Sequence, residues 1–110
     1  MASKKVCIWK PFSVSGESIL WAEAVLRGDT IAAGFSAADI IFVDATQLYG
    51  LAMVKEVRGR CPNVFLVALT KDCLEAQKYK AAGANMVASM PVKVAGFRAL
   101  VADVHANLPV

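Results

Sequence analysis

The chain has 110 residues, of which 57% are hydrophobic and 19% charged. That composition suits one domain over residues 1–110 with a sizeable core and excludes a disordered chain. The net charge is +3, with 12 Lys and Arg interleaved by 9 Asp and Glu, so no nucleic-acid partner is expected.

Cys7, Cys61 and Cys73 have no ligand-like spacing, and the single His105 has no second ligand beside it. Reduced thiols are expected, with no metal and no cofactor. After Lys4 and Lys5, only Val6-Cys7-Ile8-Trp9 precede Lys10 and Pro11. That run is too short for a signal peptide or a membrane span, which points to a cytoplasmic protein with no membrane partner.

Residues 6–9 read as a first buried strand that Pro11 ends. Ser15 is a candidate N-cap, with Glu17 in the first turn of a helix. Ile19, Leu20, Ala22, Val25 and Leu26 form its expected apolar face, Glu23 and Arg27 an i,i+4 pair, and Gly28 its end. Residues 30–33 read as a short edge strand and residues 35–38 as one helical turn, both from weak signals. Between Asp39 and Asp44 the run Ile40-Ile41-Phe42-Val43 is wholly apolar, as a strand buried on both faces requires.

A helix over residues 50–58 puts Leu51, Val54 and Val57 on one side, and Gly59 and Cys61-Pro62-Asn63 break the chain. Residues 64–69 form another doubly buried strand. Thr70 is a candidate N-cap for a weakly amphipathic helix over residues 72–82, with Leu74, Ala76, Tyr79 and Ala81 apolar and Gly83 as its cap. Residues 86–89 form a short strand. Val94, Phe97, Leu100, Val101 and Val104 mark a last helix over residues 94–106. Trp9, Trp21 and Phe97 are expected in the core, and Tyr49 either packs or faces a partner. Strands alternating with helices call for a parallel sheet covered on both faces.

A strand ending in Asp44, Pro62-Asn63-Val64 leading to Thr70, the turn Ala82-Gly83-Ala84-Asn85, and Met90-Pro91 follow one another in a specific order. With the opening Lys4-Lys5-Val6-Cys7-Ile8, this order resembles the receiver domain of two-component response regulators. The resemblance covers about four-fifths of the chain. It implies a doubly wound, flavodoxin-like α/β fold. Four or five parallel strands are expected, with the stretch between the first strand and Asp44 shortened by about a helix. It also implies that Asp44 holds the phosphoacceptor position, Thr70 the family's Ser/Thr position and Val87 the place of its aromatic switch residue.

The departures fall on the pocket. Where the family has two acidic residues that hold Mg²⁺, this chain has Lys10 and Pro11. Where it has lysine before Pro91, this chain has Met90. Phosphoryl transfer needs metal and lysine to neutralise the charge of the transferring group. Here two carboxylates are gone, a positive charge is added, and Met90 supplies none. The Lys10 ammonium reaching Asp44 would replace both, while the plainer reading sends Lys10 to water. Asp44 has a plain reading too, as a strand-end acid that caps the following loop.

The expected function is a degenerate receiver, a non-enzymatic signalling and protein-interaction module independent of Mg²⁺-dependent phosphorylation. Its protein partner is expected on the face of the last two helices and the strand between them. A homodimer is expected if loss of the second strand leaves the first as an edge. The alternatives are a weakly phosphorylatable receiver with Asp44 as acceptor, and a small flavodoxin-like enzyme or ligand-binding domain. The last lacks a Gly-rich phosphate loop and a catalytic Ser/His/Asp set.

Overall fold

The apolar run that ends in Asp44 is the middle of the protein. The computed structural model describes residues 4–9, 14–32, 34–46, 49–71, 74–91 and 93–108. In chain order these form β1 (Lys5–Trp9), α1 (Val14–Leu26), β2 (Thr30–Ile31), a 3₁₀ turn (Phe35–Ala37) and β3 (Ile40–Asp44). Then come α2 (Gly50–Arg60), β4 (Phe65–Thr70), α3 (Ala76–Ala82), β5 (Met86–Ser89) and α4 (Val94–Asn107). The five strands pair in parallel in the order β2-β1-β3-β4-β5.

Every residue of β3 is buried, and its side chains alternate between two cores. Ile40 and Phe42 join Val67 and Leu69 under α1 and α4, whose Leu20, Phe97 and Val101 complete that side. Ile41 and Val43 join Leu66 and Ala68 under α2 and α3, against Val54, Val57 and Tyr79. The doubly buried strands are therefore where the sequence placed them. β2 is a true edge strand, with Lys5 paired to Thr30 and Val6 to Ile31. β1 is thus not an edge at that end, which corrects the expectation of a homodimer through a bare first strand. Among the described residues between β2 and β3, the one helical element is the 3₁₀ turn.

The helices depart from expectation in ways that packing explains. α1 begins at Val14, so Ser15 lies inside it rather than capping it. Its buried face is Leu20, Glu23 and Ala24, while Val25 and Leu26 are exposed. Glu23 faces α4, where Arg98 Nε approaches its Oε1 to 3.3 Å, instead of pairing with Arg27. α2 runs through Gly59 to Arg60. α3 starts at Ala76 with Glu75 at its N-cap, so Thr70 caps no helix, and Leu74 precedes α3 and is exposed. The α3 side chain buried in the core is Tyr79, with Ala82 packed partly buried against it.

Two polar links close the molecule. Asp29, between α1 and β2, is buried. Its Oδ2 lies 2.7 Å from His105 Nε2 near the end of α4, and its Oδ1 accepts the Lys4 N–H at 3.1 Å. At the C-terminal end of α2, the Arg58 guanidinium donates to four backbone carbonyls. Nε donates to Gly83 at 2.8 Å, and Nη1 to Cys61, Pro62 and Val64 at 3.0 Å each. Its Nη2 donates to Asn85 Oδ1 at 2.6 Å, and the same oxygen accepts the Leu66 N–H at 2.8 Å. Burial lowers the Arg58 pKa from its ordinary value, and the neighbouring Cys61 acts in the opposite direction. Gly83 has φ of +120°, and a Cβ there would lie 2.5 Å from Arg58 Cγ, so both backbone and packing require glycine.

Urea denaturation checks two outcomes. Leu20→Ala is expected to cost about 2–5 kcal/mol as a buried truncation, and Leu26→Ala at most about 0.5 kcal/mol. Equal losses would mean that α1 packs through another face. Arg58→Met strands carbonyls without their donor and is expected to cost about 2 kcal/mol, and Arg58→Lys cannot restore the forked geometry.

Candidate functional site

The carboxyl ends of β3, β4 and β5 bring four of the sequence-marked residues to one rim. Asp44 ends β3 and is 4% exposed. Its Oδ1 accepts the Thr46 N–H at 3.0 Å and also the Thr46 hydroxyl. A carboxylate that bonds the backbone two residues on closes an Asx turn. The plain reading of Asp44, as an acid fastening the loop that follows it, is therefore present in the structure. Gly50, the first residue of α2, abuts that loop, and a Cβ on it would lie 2.6 Å from the Ala45 carbonyl oxygen. From the other side the buried Tyr79 hydroxyl lies 3.4 Å from the same oxygen.

Thr70 ends β4 one residue beyond Leu69, the register partner of Asp44. It is buried, with its hydroxyl 3.5 Å from the Ala88 carbonyl. Its own carbonyl accepts the Met90 N–H at 2.7 Å, which ties the ends of β4 and β5 together. Met90 packs partly buried against the α1/α4 core, so its thioether serves packing. Pro91 abuts Gly96 in the first turn of α4, where a Cβ would lie 2.9 Å from its ring. Val87 is half-buried on the α2/α3 side of β5. Lys10, Pro11 and Cys73 lie outside the described residues. Tyr49 is 71% exposed at the start of α2, so it does not pack.

The opposite end of the sheet holds an open cavity of about 910 Å³. Lys4, Asp39, Arg60, Asn63 and Lys80 line it. Its polar groups have structural duties. Asp39 Oδ2 accepts the Lys5 N–H at 3.0 Å, and Arg60 pairs with Glu56 at 3.0 Å. Arg60 and Lys80 also stand in the last turns of α2 and α3, where cations complement the helix dipole. Among the described residues, no three His, Cys, Asp or Glu side chains gather to hold a metal ion.

No protein-family profile matches the chain, and no curated protein sequence does. Solved structures do. The orphan response regulator HP1043 of H. pylori superposes with a TM-score of 0.74 at 16% identity, over 97% of this chain and 98% of that one. A response regulator of Thermotoga maritima gives 0.72 at 14% identity, over 96% and 100%. The chemotaxis protein CheY4 of Vibrio cholerae gives 0.70 at 21% identity, over 94% and 99%. The chain has the receiver fold. On the receiver fold the rim built from Asp44, Thr70, Met90 and Pro91 is the carboxyl end of the sheet, where open α/β proteins place their ligands.

Thr46 is marked in the sequence only by its spacing, since an Asp followed two residues later by a Thr at a strand end is a turn signature. If Asp44 acts as a loop fastener, Asp44→Asn keeps an oxygen acceptor and should hold stability within about 1 kcal/mol. Asp44→Ala loses the acceptor and should cost about 1–3 kcal/mol in thermal or urea unfolding. A carboxylate without that duty would give equal, small losses in both.

Proposed function

We propose that the protein is a signalling module that binds a protein partner without Mg²⁺-dependent phosphorylation of Asp44. The observation that carries this reading is the engagement of Asp44 Oδ1 by both the N–H and the hydroxyl of Thr46 in a nearly buried setting. The sequence supports it. Positions 10, 11 and 90 are Lys, Pro and Met, where the resemblance implies the carboxylates and the cation that phosphoryl transfer uses. In this reading Lys10 supplies the counter-charge to Asp44, and Thr70 and Met90 complete a pocket kept in one state. Val87, in place of an aromatic switch, leaves β5 no large ring to reorient.

The partner face is α3, β5 and α4. β5 is the second edge of the sheet, and Met86, Val87 and Ala88 along it are only half-buried. The apolar area there comes from β5 and the start of α4, where Val94 is 50% exposed, rather than from α3, which is only 7 residues long. The alternative is a weak phosphoacceptor, and one experiment separates the two.

Beryllofluoride with Mg²⁺, or acetyl phosphate, is titrated into the protein while Trp fluorescence is followed. No saturable change is expected, and partner recovery in pull-downs should be equal for the parent and Asp44→Asn. A saturable change abolished by Asp44→Asn would establish the phosphorylatable alternative. A double-mutant cycle of Lys10→Met and Asp44→Asn should show a coupling of at least about 0.5 kcal/mol, and zero coupling removes Lys10 from the pocket.

A further inference from the structure

Val25 and Leu26, at the end of α1, are 55% and 75% exposed, and Ile31 on β2 is 56% exposed. All three belong to one side of the molecule. Ile31 is the register partner of Val6, which lies in the core beneath α1 and α4, so Ile31 emerges on the side that α1 covers. It also sits on the edge strand that ends the sheet.

The backbone sharpens this. The N–H groups of Thr30 and Ala32 donate inward to the carbonyls of Lys4 and Val6, at 2.9 and 2.8 Å. Alternate residues of a strand aim their backbone groups at opposite neighbours. The N–H and C=O of Ile31, between them, are therefore aimed out of the sheet.

The geometry points to a second copy of this chain as the occupant of the β2 edge, with a two-fold axis passing between the two Ile31 residues. In an antiparallel pair, residues facing each other can exchange both N–H···O=C bonds with their Cα atoms about 5.5 Å apart. Two copies of Ile31 meet that condition by symmetry. An axis normal to the sheet keeps both α1 helices on the same side. Val25 of each copy, on the flank of α1 opposite Glu23, then closes over the paired Ile31 side chains.

A foreign extended peptide is a poorer fit. Such a ligand draws affinity from a run of main-chain bonds, and β2 is only 2 residues long. A copy repeats every apolar contact across the axis, as isologous dimers do. The surface lies at the sheet edge opposite β5, so it is independent of the proposed partner face.

Sedimentation equilibrium of the 110-residue chain, from micromolar to sub-millimolar concentration, tests this. The mass should rise from 11.7 kDa toward twice that value. Ile31→Lys and Val25→Glu should each weaken dimerisation at least tenfold while circular dichroism stays that of the parent. Ile31→Cys should form a linked dimer on mild oxidation where the parent does not, since the expected Cα separation lies within disulfide reach. A parent that stays monomeric throughout overturns the proposal. So does a dimer untouched by both charged substitutions, or an assembly that grows beyond two. Neither result alters the phosphodonor titration, which reads Asp44 in single and paired chains alike.

Discussion

A parallel strand that is apolar on both faces up to its last residue needs cover on both, and that requirement organises this protein. β3 meets it fully, with all of its residues buried. Its two sets of side chains demand α1 and α4 on one side and α2 and α3 on the other. The same requirement explains where cover can be spared. On the side away from α1, β2 and the start of β1 present Thr30 and Lys5, both exposed and both content in water. A 3₁₀ turn can therefore occupy the interval where a further helix would otherwise be needed. The shortening falls at a part of the sheet whose residues tolerate it.

The two ends of the sheet are built from different chemistry. At the carboxyl end a carboxylate holds a loop. At the amino end a guanidinium gathers the carbonyls that the turn after α2 and the end of α3 leave without helical partners. Asp44 and Arg58 thus do related work on opposite rims, each supplying the side-chain group that an irregular stretch of backbone lacks. That kinship weakens the presumption that a strand-end acid in such a fold exists for catalysis.

Legibility in the sequence followed the range of the interactions. β3, β4 and α4 were plain because the signal is local, in unbroken apolar runs and in Phe97, Leu100, Val101 and Val104 at helical spacing. α1 was plain as a helix but not in its orientation. Apolar residues lie around much of its circumference, and the choice of face rests on Leu20 and Ala24 meeting the sheet and on Glu23 meeting Arg98, 75 residues away. The start of α3 was overextended because no side-chain cap marks it. Arg58 was invisible because four of its acceptors are backbone carbonyls, which every residue has, and the fifth, Asn85, is 27 residues away. At the site, the placement of Asp44 at a strand end was readable from the sequence. Its bond to Thr46 was readable in principle, and the surroundings of Lys10 were not.

The link from Asp29 to both Lys4 and His105 does more than stabilise one corner. It draws the start of β1 and the end of α4 to the same place, and Lys4 and Leu108 border one cavity. Residues 4 and 108 thus lie on the same side of the molecule. A fold wired in that way can be spliced into a surface loop of another protein with little stretch of either junction, or have its ends joined and be reopened elsewhere. It also withholds part of one core until α4 has been synthesised, so a nascent chain lacking its last helix would have one side of its sheet covered by α1 alone.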